Sequence, residues 1–137
     1  MNIIAVIPAR MGSKRMPWKN RLEISPGVSL AQHAVDCAVG AGLFDHIVVS
    51  TDDPEHLPIR NAYVSKRPAA LSGDDADISS VIQYEVEHAE RARHVQYSHV
   101  VTLQPAVLAR SPLIVRSLVD AVIGTASVNA LASLSTP

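Results

Sequence analysis

The run NIIAVIPA, residues 2–9, is apolar at nearly every position and shows no alternation with polar residues before proline breaks it. So short and uniform a run suits a strand covered on both faces, as in a parallel sheet. Similar β-branched runs follow at 46–51 (HIVVST) and 98–104 (SHVVTLQ), with a weaker one at 61–65 (NAYVS) and a last one at 130–135 (ALASLS). Helical patterns separate them. Ser29 is placed to cap a helix to about Ala41, with Leu30, Ala34, Cys37, Ala38 and Ala41 on one face and Gly40 and Gly42 ending it. Asp75 or Asp77 caps a second helix to about Arg93, carrying Val81, Ile82, Glu85, Val86 and Ala89 at helical spacing. Ser111 and Pro112 open a third, to about Gly124. Strands alternating with helices predict an α/β fold, a three-layer α/β/α sandwich around a mainly parallel sheet, in one domain spanning 1–137.

Composition narrows the function classes. With 47% apolar and 18% charged residues the chain is globular, and a net charge of −1 argues against nucleic-acid binding over the whole surface. A single cysteine, Cys37, excludes an internal disulfide framework, and its place in an apolar helical pattern reads as a small buried hydrophobe. No apolar run reaches the roughly 18 residues of a membrane span, and the N-terminus lacks the basic region of a secretory signal. A soluble cytoplasmic protein is expected.

In a parallel sheet, ligands bind beyond the carboxyl ends of the strands. The loops there are 10–20, 51–56, 66–77 and 104–111, and they gather Arg10, Ser13, Lys14, Lys19, Asn20, Asp52, Asp53, Arg67, Asp74, Asp75, Gln104 and Arg110. The first loop stands out. IPARMGSKRMPWKN packs Arg10, Lys14, Arg15 and Lys19 around Gly12, Ser13 and Pro17. Its backbone N–H groups can wrap an anion, and the anion that matches this charge density is a polyphosphate. It fits neither the Walker A nor the G-x-G-x-x-G pattern. A merely solvated basic loop and a local nucleic-acid contact, with Trp18 the one residue able to stack, stay open as alternatives.

IPARMGSKRMPWKN resembles the signature loop of the CMP-sialic acid synthetases, in the sugar nucleotidyltransferase superfamily. The likeness continues in family order through LFDHIVVSTDD (43–53), RPAALSGDDA (67–76) and LQPAVLAR (103–110). It implies a Rossmann-like nucleotide-diphospho-sugar transferase fold, a nucleotidyltransferase, and transfer of CMP from CTP to an acid sugar with release of pyrophosphate. It implies that Arg10, Ser13, Lys14, Lys19 and Asn20 hold the triphosphate, with Lys19 and Arg10 catalytic. Arg67 and Ala76 would lie near the cytosine, and Gln104 and Arg110 by the acceptor sugar. Mg2+ is the implied cofactor, CTP and an acid sugar the partners, with no nucleic acid or membrane, and a homodimer the assembly. The resemblance also implies a C-terminal half beyond Pro137, with metal-binding aspartates and a dimerisation segment. On that reading these 137 residues transfer nucleotide slowly or not at all by themselves.

The chain departs from the family pattern at particular places. Met11 replaces a glycine, Ile78 a serine used on the base, and PAVLAR stands for PTSPLR. The segment 54–66 is shorter, with Pro58 where a helix is expected. An isoleucine forms no hydrogen bond to a base, so a relative with altered base or acceptor choice, or a nucleotide-binding module without catalysis, are the competing readings. Asp52 and Asp53 stand between metal ligation and a turn or capping role. Glu85 and His88 share a helical face with no second such pair, and EVEHAERAR (85–93) reads as a solvated charged face. Ser50 and Ser79 have no adjacent base by motif, so nucleophilic catalysis has no support.

Overall fold

The computed structural model describes residues 2–10, 23–73, 77–104, 112–124 and 131–133. Strands β1 (Ile3–Pro8), β4 (His46–Thr51), β5 (Tyr63–Lys66), β6 (His99–Thr102) and β7 (Leu131–Ser133) form one sheet in the order β5-β4-β1-β6-β7. Each neighbouring pair in it is parallel. A small antiparallel hairpin, β2 (Glu23–Ser25) and β3 (Val28–Ser29), precedes the first helix. Helices α1 (Leu30–Ala41), α2 (Ile78–Arg93) and α3 (Pro112–Gly124) connect the parallel strands. The chain builds outward from β1 through β4 to β5, then returns to add β6 and β7 on the other side. The strand order therefore reverses at β1, and in sheets of this kind ligands bind beyond the carboxyl ends of the strands at such a reversal.

The unbroken apolar run in β1 has its reason in this layering. Ile3, Ala5 and Ile7 pack with Ala34, Val35 and Ala38 of α1 and Val115 and Val119 of α3. Ile4 and Val6 face the other way, packing with Val48 of β4 and Ile82 and Ala89 of α2. Both faces of the strand are buried, so neither set of alternating positions tolerates a polar side chain.

The helix boundaries follow local chemistry. Ser29 Oγ accepts the Gln32 N–H at 3.1 Å, and Gly42 closes α1 in the left-handed region at φ 69°. Gly40 lies inside α1 rather than ending it. A Cβ there would stand 2.8 Å from Pro112 Cγ, so this glycine admits the first turn of α3 against α1. Asp77 is the cap of α2, its carboxylate accepting the Ser79 N–H at 3.3 Å. Cys37 is buried, with Sγ 3.8 Å from His33 Nε2. The hairpin β2–β3 has no counterpart in the sequence reading, because strands of three and two residues are too short to show a period.

His46 opens β4 with its ring 6.0 Å from that of Tyr63. Burial, and then the charge of Arg93, hold the His46 imidazole below its ordinary value of 6.5. Below about pH 6.5 the unfolded chain therefore binds more protons at this residue than the folded chain does. The stability from neutral His46 is complete above that pH and is lost as the pH falls. Thermal unfolding should show a midpoint that drops on acidification, with a smaller drop in His46→Gln. Equal drops in the two proteins would show that His46 does not couple to folding.

Candidate active site

The carboxyl edge of the sheet is built by hydrogen bonds that carry the ladder past the strand ends. Ala9 N–H donates to Ser50 O at 2.8 Å, Arg67 N–H to Thr51 O at 2.8 Å, and Leu103 N–H to Val6 O at 3.1 Å. Those bonds set where Arg10, Asp52, Arg67 and Gln104 leave the sheet. The four residues emerge from β1, β4, β5 and β6, along the same edge.

Arg67 is the best-defined of them. It is only 5% exposed. Its Nε–H donates to Ser50 Oγ at 3.1 Å, Nη2 to Ser50 O at 3.3 Å and Nη1 to Leu71 O at 3.4 Å. A guanidinium so placed is clamped between the end of β4 and the single 3-10 turn Ala69–Leu71. Burial lowers its pKa, and the like charge of Arg10 does so more weakly. The carboxylates of Asp52 and Glu85 act in the opposite sense. Arg10, Asp52, Arg67 and Glu85 thus form one electrostatic neighbourhood at and beneath the sheet edge.

Asp53 takes a turn role. Its backbone N–H donates to Thr51 Oγ1 at 3.2 Å, and its carboxylate meets His56 Nδ1 at 2.7 Å across the 3-10 turn Pro54–His56. Among the described residues, no group of three or more His, Cys, Asp or Glu side chains is arranged to hold a metal ion. The Glu85–His88 pair accordingly gains no further ligand there.

Of the residues expected from sequence, the structure brings Arg10, Arg67 and Gln104 to one edge. Ser13, Lys14, Lys19, Asn20, Ala76 and Arg110 lie outside the described residues, as do Asp74 and Asp75. Two participants were missed. Ser50 supplies both its hydroxyl and its carbonyl to Arg67, a role that only the pairing of β4 with β5 creates. Glu85 stands in the sequence both at helical spacing with Ile82 and Ala89 and in the charged run 85–93, and at 1% exposed it belongs to the first pattern and not to a solvated face. The signal was present, since Glu85 stands three and four residues from the buried Ile82 and Ala89, on the inward stripe of α2. Ser79, in the first turn of α2, is exposed, and Ser50 is buried as a hydrogen-bond partner; neither is set up as a nucleophile.

A family model described as cytidylyltransferase matches residues 4–110. The chain is 35% identical over 107 residues to a pseudaminic acid cytidylyltransferase of Campylobacter jejuni, an alignment covering 75% of this chain and 45% of that protein. It is 34% identical over 123 residues to a CMP-N,N'-diacetyllegionaminic acid synthase of Legionella pneumophila, covering 88% and 53%. A solved CMP:2-keto-3-deoxy-manno-octonic acid synthetase complexed with CTP superposes with a TM-score of 0.69 at 24% identity, covering 90% of this chain and 48% of that one. That likeness shows the fold, the nucleotide-diphospho-sugar transferase type expected from the sequence. The chain spans about half the length of the curated relatives it matches. With more than half of its residues inside the family match, and with that family's fold, the chain belongs to the cytidylyltransferase family.

Proposed function

We propose that this chain binds CTP at the carboxyl edge of its sheet and that the protein transfers CMP to an acid sugar. The observation that carries the reading is the convergence of Arg10, Asp52, Arg67 and Gln104 on one edge, next to the basic loop 10–20. In the reaction, the anomeric hydroxyl of the sugar attacks the α-phosphorus, the bond to the bridging oxygen of the β-phosphate breaks, and pyrophosphate leaves. Arg10, Ser13, Lys14 and Asn20 hold the triphosphate. Lys19 neutralises charge developing at the α-phosphate. Arg67 keeps guanidinium N–H groups beyond its three bonds to the described residues, and these suit the acceptor atoms of a pyrimidine. Ala76 lines the base site, and Gln104 and Arg110 face the acceptor sugar. Mg2+ adds charge neutralisation when bound. Asp52 leaves the sheet at this edge, and its carboxylate is of the type that suits a hard cation completing its shell with phosphate oxygens. A cytoplasmic homodimer belongs to the same reading, and no described helix is long and apolar enough to cross a membrane.

Calorimetric titration with CTP and Mg2+ tests the binding step. Arg10→Ala and Lys14→Ala should each weaken CTP by about 1.5–3 kcal/mol, the worth of a charge-assisted hydrogen bond. Affinity unchanged in both variants would refute the site. A panel of acid sugars in a pyrophosphate-release assay then tests transfer.

One observation favours loose base choice within this reading. Ile78, 39% exposed, opens α2 and presents an apolar side chain at the position where the family resemblance implies a serine that reads the base. Apolar walls discriminate weakly between isosteres. CTP and UTP should therefore bind within about tenfold of each other, or about 1.4 kcal/mol. A hundredfold preference for CTP would show that other groups read the base.

A further inference from the structure

Glu85 has no part in the chemistry above, yet it is among the most buried side chains of the protein. A buried carboxylate is costly to hold unless something compensates it. Its Oε2 has no hydrogen-bond partner among the described residues. Its position in the layers shows what it serves. Val48 faces α2, in the cluster with Ile82 and Ala89. Ser50, two residues further along β4, shares that face by the alternation of a strand. Arg67 Nε–H bonds Ser50 Oγ, so the guanidinium lies on the α2 side of the sheet. Glu85 projects from the inward stripe of α2 onto the same side. Toward the other end of β4, Glu85 also lines a cavity of about 200 Å3 with His46, Val48, Tyr63, His88 and Arg93.

The two buried groups are complementary in need. Arg67 retains N–H groups without partners among the described residues, in a setting that disfavours its charge. Glu85 retains an unpartnered oxygen. The side chains bonded to Arg67 from the sheet are neutral, and Asp52 acts from the edge where ligand enters. Glu85 is the anion that acts from beneath.

We propose that Glu85 is the positioning residue for Arg67, holding its guanidinium from the α2 side so that its outward N–H groups are presented to the nucleobase of CTP. The proposal rests on the reading of Arg67 as the base-site residue. It predicts that Glu85 governs affinity for the base portion of the nucleotide and leaves the triphosphate loop unaffected.

The experiment compares CTP with inorganic tripolyphosphate, which occupies the basic loop without reaching the base. Both are titrated into the same preparation, so a reduced folded fraction lowers both amplitudes alike. Glu85→Gln should weaken CTP about tenfold, the scale of one charge-assisted hydrogen bond, while tripolyphosphate changes by less than about twofold. Glu85→Asp, which keeps the charge on a shorter stem, should lose less than Glu85→Gln. In an Arg67→Lys background, which removes the forked donor, Glu85→Gln should add little further loss. A ratio of CTP to tripolyphosphate affinity unmoved by Glu85→Gln overturns the proposal alone. Equal losses in Glu85→Gln and Glu85→Asp, or a full loss persisting beside Arg67→Lys, reduce Glu85 to a packing residue and also overturn it. A wild-type chain that binds tripolyphosphate no more weakly than CTP overturns the base-site reading of Arg67 and this proposal with it.

Discussion

Arg67→Ala should destabilise the fold by about 3–5 kcal/mol, the cost of removing one member of a buried charged network. The loss has three sources. Three hydrogen bonds to Ser50 and Leu71 vanish. Ser50 Oγ, fully buried, loses its donor. Glu85, 1% exposed, loses the nearby buried cation. Water cannot easily replace the guanidinium at a position 5% exposed. Against a total stability of about 5–15 kcal/mol this is a large fraction. Urea unfolding should show the midpoint falling by about 2 M, given a slope of roughly 2 kcal/mol per molar. A loss under about 1 kcal/mol would place Arg67 with surface residues and remove the structural argument for a clamped guanidinium.

The other large effect concerns Lys19. Lys19→Ala should slow nucleotidyl transfer by about a hundredfold to a thousandfold, as when one donor to developing charge is removed. The effect should fall on the chemical step, with CTP affinity changed far less, because in the proposed site Arg10 and Lys14 still hold the triphosphate. Single-turnover measurement of pyrophosphate release keeps slow chemistry visible and separates it from product release. A loss of less than about threefold would reassign Lys19 to simple binding, and the catalytic cation would have to be sought elsewhere in the basic loop.

Much of this protein was legible before folding, for reasons local to the chain. The uniform apolar run of β1 requires cover on both faces, which selects a parallel sheet with helices on either side. Ser29, Asp77 and Pro112 mark helix starts because capping depends on residues within one turn. The placement of Arg10, Arg67 and Gln104 on one edge followed from strand direction, since parallel strands share a carboxyl end. What the sequence could not show is what depends on neighbours distant along the chain. Gly40 looks like a helix terminator in sequence, but its use is the close approach of Pro112, 72 positions on by the numbering. Ser50 looks like any strand residue until pairing with β5 brings Arg67 across it. Glu85 falls at helical spacing with Ile82 and Ala89 and also in the charged run EVEHAERAR, and taken residue by residue its charge predicts exposure against its spacing. Sequence by itself determined the layers, the direction of the strands and the charge of the first loop. Tertiary structure alone decided that a buried carboxylate of α2 and a buried guanidinium of the sheet edge face the same interior, because the energy of a buried charge depends on what surrounds it in space.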